Sequence, residues 1–349
     1  MVNVDEKYMR RSLQLASNGE GNTYPNPLVG SVVVHKGKII GEGFHWKAGE
    51  PHAEVNAINS VKDKSLLPHS TLYVNLEPCA HFGRTPPCSL LIINHKIPKV
   101  VIGCVDSFSQ VSGKGIEMMR EKGVEVITGV LETESRSINR RFFTFHEKMR
   151  PYVILKWAES MDGFIDIERY ADSSAQPTWI TNEWARRSVH RQRSVEQALL
   201  IGTNTAIKDN PSLTLRDWSG NSPTRIVIDR ELKLPETLML FAGKEDTIIL
   251  NEIKDEQKDN ITYLKINLKE DSAQRILTAL HHKQLQSVVI EGGSTTLNLF
   301  LKFGLWDETH VYVGNKQFKA GVKAPKVLGE LVSKEEFSDS KLFVYRNIL

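Results

Sequence analysis

"HAEVNAI", His52 to Ile58, and "PCAHFGRTPPC", Pro78 to Cys88, decide how the first half of the chain reads. Two of the chain's three cysteines stand in the second stretch, a short proline-rich loop where burial does not explain them. Cys104, the third, lies in "KVVIGCV", the pattern of a buried strand, and reads as a small core residue. Three cysteines cannot all pair, and a reducing cytosol disfavours structural disulfides. A zinc ion gives Cys79 and Cys88 a use. Zinc takes thiolate sulfur and imidazole nitrogen, and a catalytic site keeps three protein ligands and leaves the fourth position to water. His52, Cys79 and Cys88 supply that count. Pro51 and the prolines before Cys88 are helix-start signals. Two helix N-termini would then point at the metal and help hold the cysteines as thiolates.

Glu54 follows His52 too closely to be a comfortable fourth ligand. It can instead carry a proton from the attacking water to a leaving amine. Zinc deaminases of nucleobases are the general case of this chemistry, with a compact signature that spaces its cysteines by two residues. Here eight residues intervene, "AHFGRTPP". A structural zinc site would want a fourth Cys or His. His81 is available for that, although it is better placed as a substrate contact.

Outward from these stretches, strands alternate with helices. Glu6 to Ala16 has amphipathic helical spacing, and "LVGSVVVHKGKIIGEGFH" reads as two strands around a Lys-Gly-Lys turn. "STLYVNLEP", "KVVIGCV" and "VEVITGV" read as further strands, with "PPCSLLIINHKI" and "GKGIEMMREKG" as helices between them. A charged helix, "ETESRSINRRFFTFHEKM", leads to a seam near Arg150-Pro151, where "PYVILKWAESMDGFI" opens a new strand. Alternation resumes with "EQALLIGTNTA", "TRIVID", "DTIIL", "SAQRILTALHHK" and "QSVVIEGGSTTLNLFLK", and ends on the strands "WDETHVYV" and "KLFVYRNI". This order predicts α/β layers around partly parallel sheets. The domains expected are residues 1–149 and 150–349, each long enough to bury its own core.

A formal charge of +3 over 349 residues carries no basic stripe of the kind nucleic-acid binding needs. No apolar run reaches the ~18 residues of a membrane span, and the N-terminus lacks the apolar stretch of a signal peptide. The expected location is cytoplasmic, with neither a nucleic acid nor a membrane as partner.

"PNPLVGSVVV", "GEGFHWKAGEPHAEVNAI", "LEPCAHFGRTPPC" and "NRRFF" in the first half resemble the deaminase half of the RibD family, the bifunctional riboflavin-biosynthesis enzymes. "RPYVILKWAESMDGFI", "WIT", "VHRQRS", "IGTNTAIKDNPSLTLR" and "VVIEGGSTTLN" resemble that family's reductase half. Nearly the whole chain is covered, and the long spacing between Cys79 and Cys88 is typical of the family. The resemblance implies an N-terminal cytidine-deaminase-like three-layer α/β domain and a C-terminal dihydrofolate-reductase-like α/β domain. It implies one zinc ion per chain, NADPH, and a homo-oligomer acting on a small ribosylaminopyrimidine phosphate. The first step would be hydrolytic deamination, and the second reduction of the ribosyl group to ribityl. Two other readings stand beside it: a nucleoside or tRNA deaminase with an accessory domain, and a zinc-stabilised binding protein without catalysis.

By the same resemblance Asn26 and His45 contact the pyrimidine or ribosyl part, and His81 and Arg84 reach the ribose phosphate. The family commonly has lysine where Arg84 stands; either cation serves a phosphate, with different geometry. The family usually reads Asp-Pro-Asn-Pro after the Cys104 strand, whereas this chain has "DSFSQVSGKG", keeping Asp106 and placing Phe108 where a polar residue is expected. Asp106 is a substrate contact or a loop cap. In the second half, no G-x-G-x-x-G follows a strand, so a dinucleotide fold of the Rossmann type has no support. "VVIEGGSTT" offers another route, since bare amides at Gly292, Gly293 and Ser294 could hold a phosphate where a helix begins. Gly202, Thr203 and Thr205 form a second strand-to-helix turn able to meet cofactor, or the threonines simply cap the helix. Lys156, a charge ending an apolar strand, faces either solvent or the ribityl chain. Thr178, Asp209, Arg216 and Glu291 resemble substrate-binding positions.

Overall fold

Alternation along Val32, Val33 and Val34 puts their side chains on opposite faces of one strand, and all three are buried. A sheet buried on both faces needs helices on both, and the first half of the chain supplies them. The computed structural model describes residues 3–82, 86–107, 113–168 and 178–348. The chain divides into two compact units, Met1–Lys148 and Met149–Leu349.

The first unit runs α1 (Val4–Ala16), β1 (Gly30–His35), β2 (Lys38–Phe44), α2 (Ala53–Ser60), β3 (Thr71–Leu76), α3 (Cys88–Asn94), β4 (Lys99–Cys104), α4 (Lys114–Glu121), β5 (Glu125–Thr128), α5 (Glu132–Ile138) and α6 (Arg140–Glu147). Its five strands stand in the order β2-β1-β3-β4-β5. β1 is antiparallel to β2 and β3, while β3, β4 and β5 are parallel. The β1–β2 turn is Lys36-Gly37, both left-handed (φ 47° and 76°), the handedness a tight hairpin requires. Val33, Leu72, Val74, Val100 and Ile102 face one way and pack on Ala57 and Ile58 of α2, Ile92 of α3 and Ile116 and Met119 of α4. Val32, Val34, Tyr73 and Val101 face the other way and pack on Tyr8, Met9 and Leu15 of α1. The result is a three-layer α/β sandwich.

The charged helix read from "ETESRSINRRFFTFHEKM" is in fact two, α5 and α6, meeting at Asn139. The break has a use. Asn139 Oδ1 accepts the Leu28 N–H at 2.7 Å and Asn139 Nδ2 donates to the Leu28 carbonyl at 2.9 Å, which fixes the strand entering β1.

The second unit runs β6 (Tyr152–Glu159), β7 (Phe164–Asp166), α7 (Glu183–Val195), β8 (Ala198–Gly202), α8 (Thr203–Asp209), β9 (Thr224–Ile228), β10 (Thr247–Asn251), β11 (Glu256–Lys258), β12 (Ile261–Lys265), α9 (Ser272–His282), β13 (Ser287–Ile290), α10 (Ser294–Lys302), β14 (Glu308–Val313), β15 (Val322–Lys323), β16 (Glu330–Phe337) and β17 (Ser340–Arg346). "PYVILKWAESMDGFI" therefore does not continue as one strand. It turns at Gly163 (φ 81°), where Asp162 accepts the backbone N–H groups of Phe318 and Lys319. Ten strands form one sheet in the order β11-β12-β10-β9-β8-β13-β6-β14-β17-β16. From β12 to β14 every neighbour is parallel; β17 and β16 then run antiparallel. Val153, Leu155, Leu200, Val288 and Ile290 pack on α9 and α10 through Ile276, Leu277, Leu280, Leu297 and Phe300. Tyr152, Ile154, Leu199, Ile201 and Val289 cover the opposite face with Ala206 of α8 and Leu213. Continuous apolar strands follow from burial on both sides.

Candidate metal centre and a cleft in the second unit

His52 is the N-cap of α2, and Cys88 is the first residue of α3 with Pro87 as its N-cap. Cys79 reaches them from the loop after β3. Cys79 Sγ stands 3.7 Å and Cys88 Sγ 3.4 Å from His52 Nδ1, and the three donor atoms lie within 4.8 Å of one another. With zinc bonds of about 2.3 Å to sulfur and 2.0 Å to nitrogen, the sulfur-to-nitrogen edge of a tetrahedron is about 3.5 Å. The triad has that size. The Cys88 N–H also donates to Cys79 Sγ at 3.3 Å, as a thiolate at a helix start invites. Hydrogen bonds from Cys88 and His52 pull the Cys79 thiol down to about 4, whereas the neighbouring Cys79 sulfur and burial raise Cys88. His52, bonded to Cys79, is raised to about 9. Two sulfurs competing for one proton are the donors a divalent cation would satisfy together. The residues present fit zinc.

Glu54 lies two residues on, 3% exposed, its carboxyl beside the Cys88 thiol. Burial pushes that carboxyl up to about 7. His45 is 2% exposed; its ring meets the His52 ring edge-on at 5.5 Å. His45 Nε2 is 3.0 Å from Asn26 Nδ2 and Nδ1 is 3.2 Å from the Pro51 carbonyl, so Asn26 and His45 form one unit against the metal ligand. Asp106 is buried after β4, and its N–H donates to Glu77 Oε2 at 3.3 Å. Glu77 also accepts from the amides of Gly113, Gly115 and Ile116, so it joins Asp106 and the start of α4 to the segment that carries Cys79. Its place in "LEPC" gave no hint of this role. His81 is exposed. Arg84 and Phe108 lie outside the described residues.

In the second unit a cleft of about 580 Å³ opens at the carboxyl ends of β8, β9 and β13, where open parallel sheets bind ligands. Lys156, Thr178, Gly202, Thr203, Thr205, Asp209, Glu291, Gly293 and Ser294 line it. Gly292 and Arg216 do not. A Cβ on Gly292 would meet the Ile201 side chain at 2.9 Å, so this glycine serves close packing of the two strand-to-helix turns. Gly293 (φ 66°) caps α10, and a Cβ there would stand 3.1 Å from Thr205 Oγ1. The Thr203 hydroxyl donates to the Ile228 carbonyl at 2.5 Å, and that of Thr178 to Asp166 Oδ1 at 2.7 Å.

At the cleft's floor Glu291 is gripped by Arg193 of α7, with Nε to Oε1 at 3.0 Å and Nη2 to Oε2 at 2.5 Å. Burial alone would raise the Glu291 carboxyl; the charges of Arg193 and Lys156 win and hold it at about 2. Burial lowers Lys156 while Glu291 opposes the shift, and Lys156 Nζ lies 5.7 Å from the centre of the Tyr312 ring. Arg193 lies within "VHRQRS", a stretch that by itself gives no hint of this ion pair.

A model of the cytidine and deoxycytidylate deaminase zinc-binding region matches residues 2–104, and one of the RibD C-terminal domain matches residues 151–343. The chain is similar to the riboflavin biosynthesis protein RibD of Aquifex aeolicus, 40% identical over 95% of this chain and 89% of that one. It is similar to RibD of Bacillus amyloliquefaciens, 40% identical over 97% and 90%. Among solved structures, a diaminohydroxyphosphoribosylaminopyrimidine deaminase/5-amino-6-(5-phosphoribosylamino)uracil reductase from Thermotoga maritima superposes with a TM-score of 0.87 at 36% identity, covering 99% of both chains. Acinetobacter baumannii RibD superposes with a TM-score of 0.88 at 30% identity, again over 99% of both.

Proposed function

The chain belongs to the RibD family of riboflavin-biosynthesis deaminase–reductases, and from that premise we propose that Met1–Lys148 carries the deaminase and Met149–Leu349 the reductase. It is a hydrolase and an oxidoreductase, with zinc and NADPH as cofactors. The observation that carries the division of labour is the His52–Cys79–Cys88 triad with buried Glu54 beside it, in a unit separate from the cleft lined by Lys156 and Glu291.

In the first unit, His52, Cys79 and Cys88 would hold the zinc, which when bound would supply the Lewis acidity that activates water at neutral pH. Glu54 takes the proton of the attacking water and returns it to the departing amino group, so a C–O bond replaces a C–N bond and ammonia leaves. Asn26 and His45 orient the pyrimidine. Asp106 sits at the ribosyl side, and His81 with Arg84 takes the phosphate. In the second unit, Lys156, Thr178, Asp209, Arg216 and Glu291 hold the phosphorylated ribosyl part of the deaminated product. Gly202, Thr203, Thr205, Gly293 and Ser294 hold the cofactor, with Gly292 allowing the turns to close. NADPH supplies the hydride, and the protein positions donor and acceptor.

The substrate on this reading is a free ribosylaminopyrimidine phosphate rather than a polynucleotide. The working form is a cytoplasmic homo-oligomer, where free thiols stay reduced. No helix among the described residues is long and apolar enough to cross a membrane. A match to a reductase domain over residues 151–343 leaves the accessory-domain alternative without support. A purely structural zinc site has no need of the buried carboxyl at Glu54.

Incubation of the protein with the diaminopyrimidinone ribosyl phosphate, with and without NADPH, followed by mass analysis, tests the reading. Exchange of an amino group for oxygen is expected without NADPH, and a further gain of two hydrogens with it. Absence of the first change in zinc-loaded protein contradicts the proposal.

A further inference from the structure

Arg186, His190 and Arg193 follow one another on α7 at spacings of four and three, and so share one helix face. That face docks the segment 214–217. Arg186 Nε is 2.8 Å from Asp217 Oδ2. His190 Nδ1 accepts the Arg216 N–H at 3.2 Å, and His190 Nε2 is 3.5 Å from Asp217 Oδ2. Arg193 Nη1 is 3.5 Å from the Thr214 carbonyl, while its other nitrogens hold Glu291 of the cleft. The segment is thereby fixed to α7, tied through Arg193 to Glu291 of the cleft, with Arg216 exposed.

We propose that His190 is a positioning residue of the reductase: its Nδ1 holds the Arg216 backbone so that the Arg216 guanidinium is presented to the phosphate of the ribosyl substrate. The inference rests on the assignment of Arg216 to the substrate made above. Two observations support it independently. His190 is 2% exposed, so its polar edge is spent inside the protein, and both ring nitrogens face the segment that carries Arg216. An Nδ1 that accepts puts the ring proton on Nε2, aimed at Asp217. The charged groups around the ring are Arg193, Asp217, Arg216, Glu291 and Arg186. Burial first, and Arg193 next, bring the imidazole down to about 4, so it is a neutral acceptor at neutral pH. Without it, the Arg216 N–H loses its partner in a part-buried site.

The test compares His190→Leu, His190→Gln and Arg216→Ala with the parent in steady-state reduction, at saturating NADPH, of the phosphorylated substrate and its dephosphorylated counterpart. His190→Leu is expected to raise KM for the phosphorylated substrate by about tenfold, with kcat within about threefold, the scale of one lost hydrogen bond. Its preference for the phosphorylated over the dephosphorylated substrate should collapse by the same factor. His190→Gln should restore KM, because its amide oxygen can accept from Arg216 and its NH₂ can donate to Asp217. Arg216→Ala should lose the same phosphate preference, which keeps the test decisive if the leucine variant folds poorly. An intact phosphate preference in folded His190→Leu or in Arg216→Ala overturns the proposal, as does a glutamine variant no better than leucine. Failure of the parent itself to reduce the substrate would instead overturn the assignment on which the proposal rests.

Discussion

Replacing Glu291 by glutamine removes one charge from a nearly dry cluster and leaves Arg193 without its anion. The two side chains are 9% and 11% exposed, so solvent can replace little of what is lost. Holding the carboxyl at about 2 against an ordinary 4.5 corresponds to about 3 kcal/mol of stability. Breaking a buried pair from one side costs about 3–5 kcal/mol on independent grounds. For a unit of this size each kcal/mol is worth roughly 2–4 °C, so Glu291→Gln should lower Tm by about 6–12 °C at pH 7. The sign with pH follows from the lowered carboxyl. The parent's extra stability is complete above about 4.5 and is lost as the pH falls toward and through about 2, so the gap between parent and variant should narrow between pH 7 and pH 3. Five of the six tryptophans, Trp157, Trp179, Trp184, Trp218 and Trp306, lie in the second unit, so thermal unfolding followed by tryptophan fluorescence reports mainly on it. A Tm within about 2 °C of the parent at pH 7, or a gap that widens in acid, would refute the reasoning that Arg193 and Lys156 stabilise an ionised Glu291.

Two further outcomes are expected. Gly293→Val places a β-branched residue at φ 66° with its Cβ 3.1 Å from Thr205 Oγ1, so the KM for NADPH should rise at least severalfold while deamination is unchanged; an unaltered KM in the folded variant removes the phosphate-approach role from this turn. Metal analysis should find one zinc per chain, and Cys88→Ser should lower that content and deamination together while sparing reduction; full zinc content in the serine variant would exclude Cys88 as a ligand.

Much of the fold was legible because the central strands of the two large sheets are buried on both faces, which writes strands such as "SVVV", "KVVIGC" and "SVVI" as apolar runs bounded by turns. The metal ligands were legible for a different reason. Cysteine in an exposed-looking proline loop, and glutamate just beyond a histidine, are residue types that packing does not explain. What stayed hidden depends on partners far away in sequence. The break at Asn139 exists to hold Leu28, 111 residues upstream. Arg193 looks like a surface residue until β13 brings Glu291, 98 residues on, against it. Strand β16, "ELVSKEEF", is almost wholly exposed at the sheet's edge, so it lacks the apolar alternation that marks a strand.

If two chemistries run at two separate sites on one chain, Glu54→Gln separates them most directly. The substitution keeps the shape of a side chain that is 3% exposed and leaves His52, Cys79 and Cys88 in place. The variant should bind zinc as the parent does, lose deamination by at least about 10²-fold, and reduce supplied deaminated substrate with NADPH at the parent rate. Near-normal deamination, or loss of both activities in a folded, zinc-loaded variant, would contradict the account.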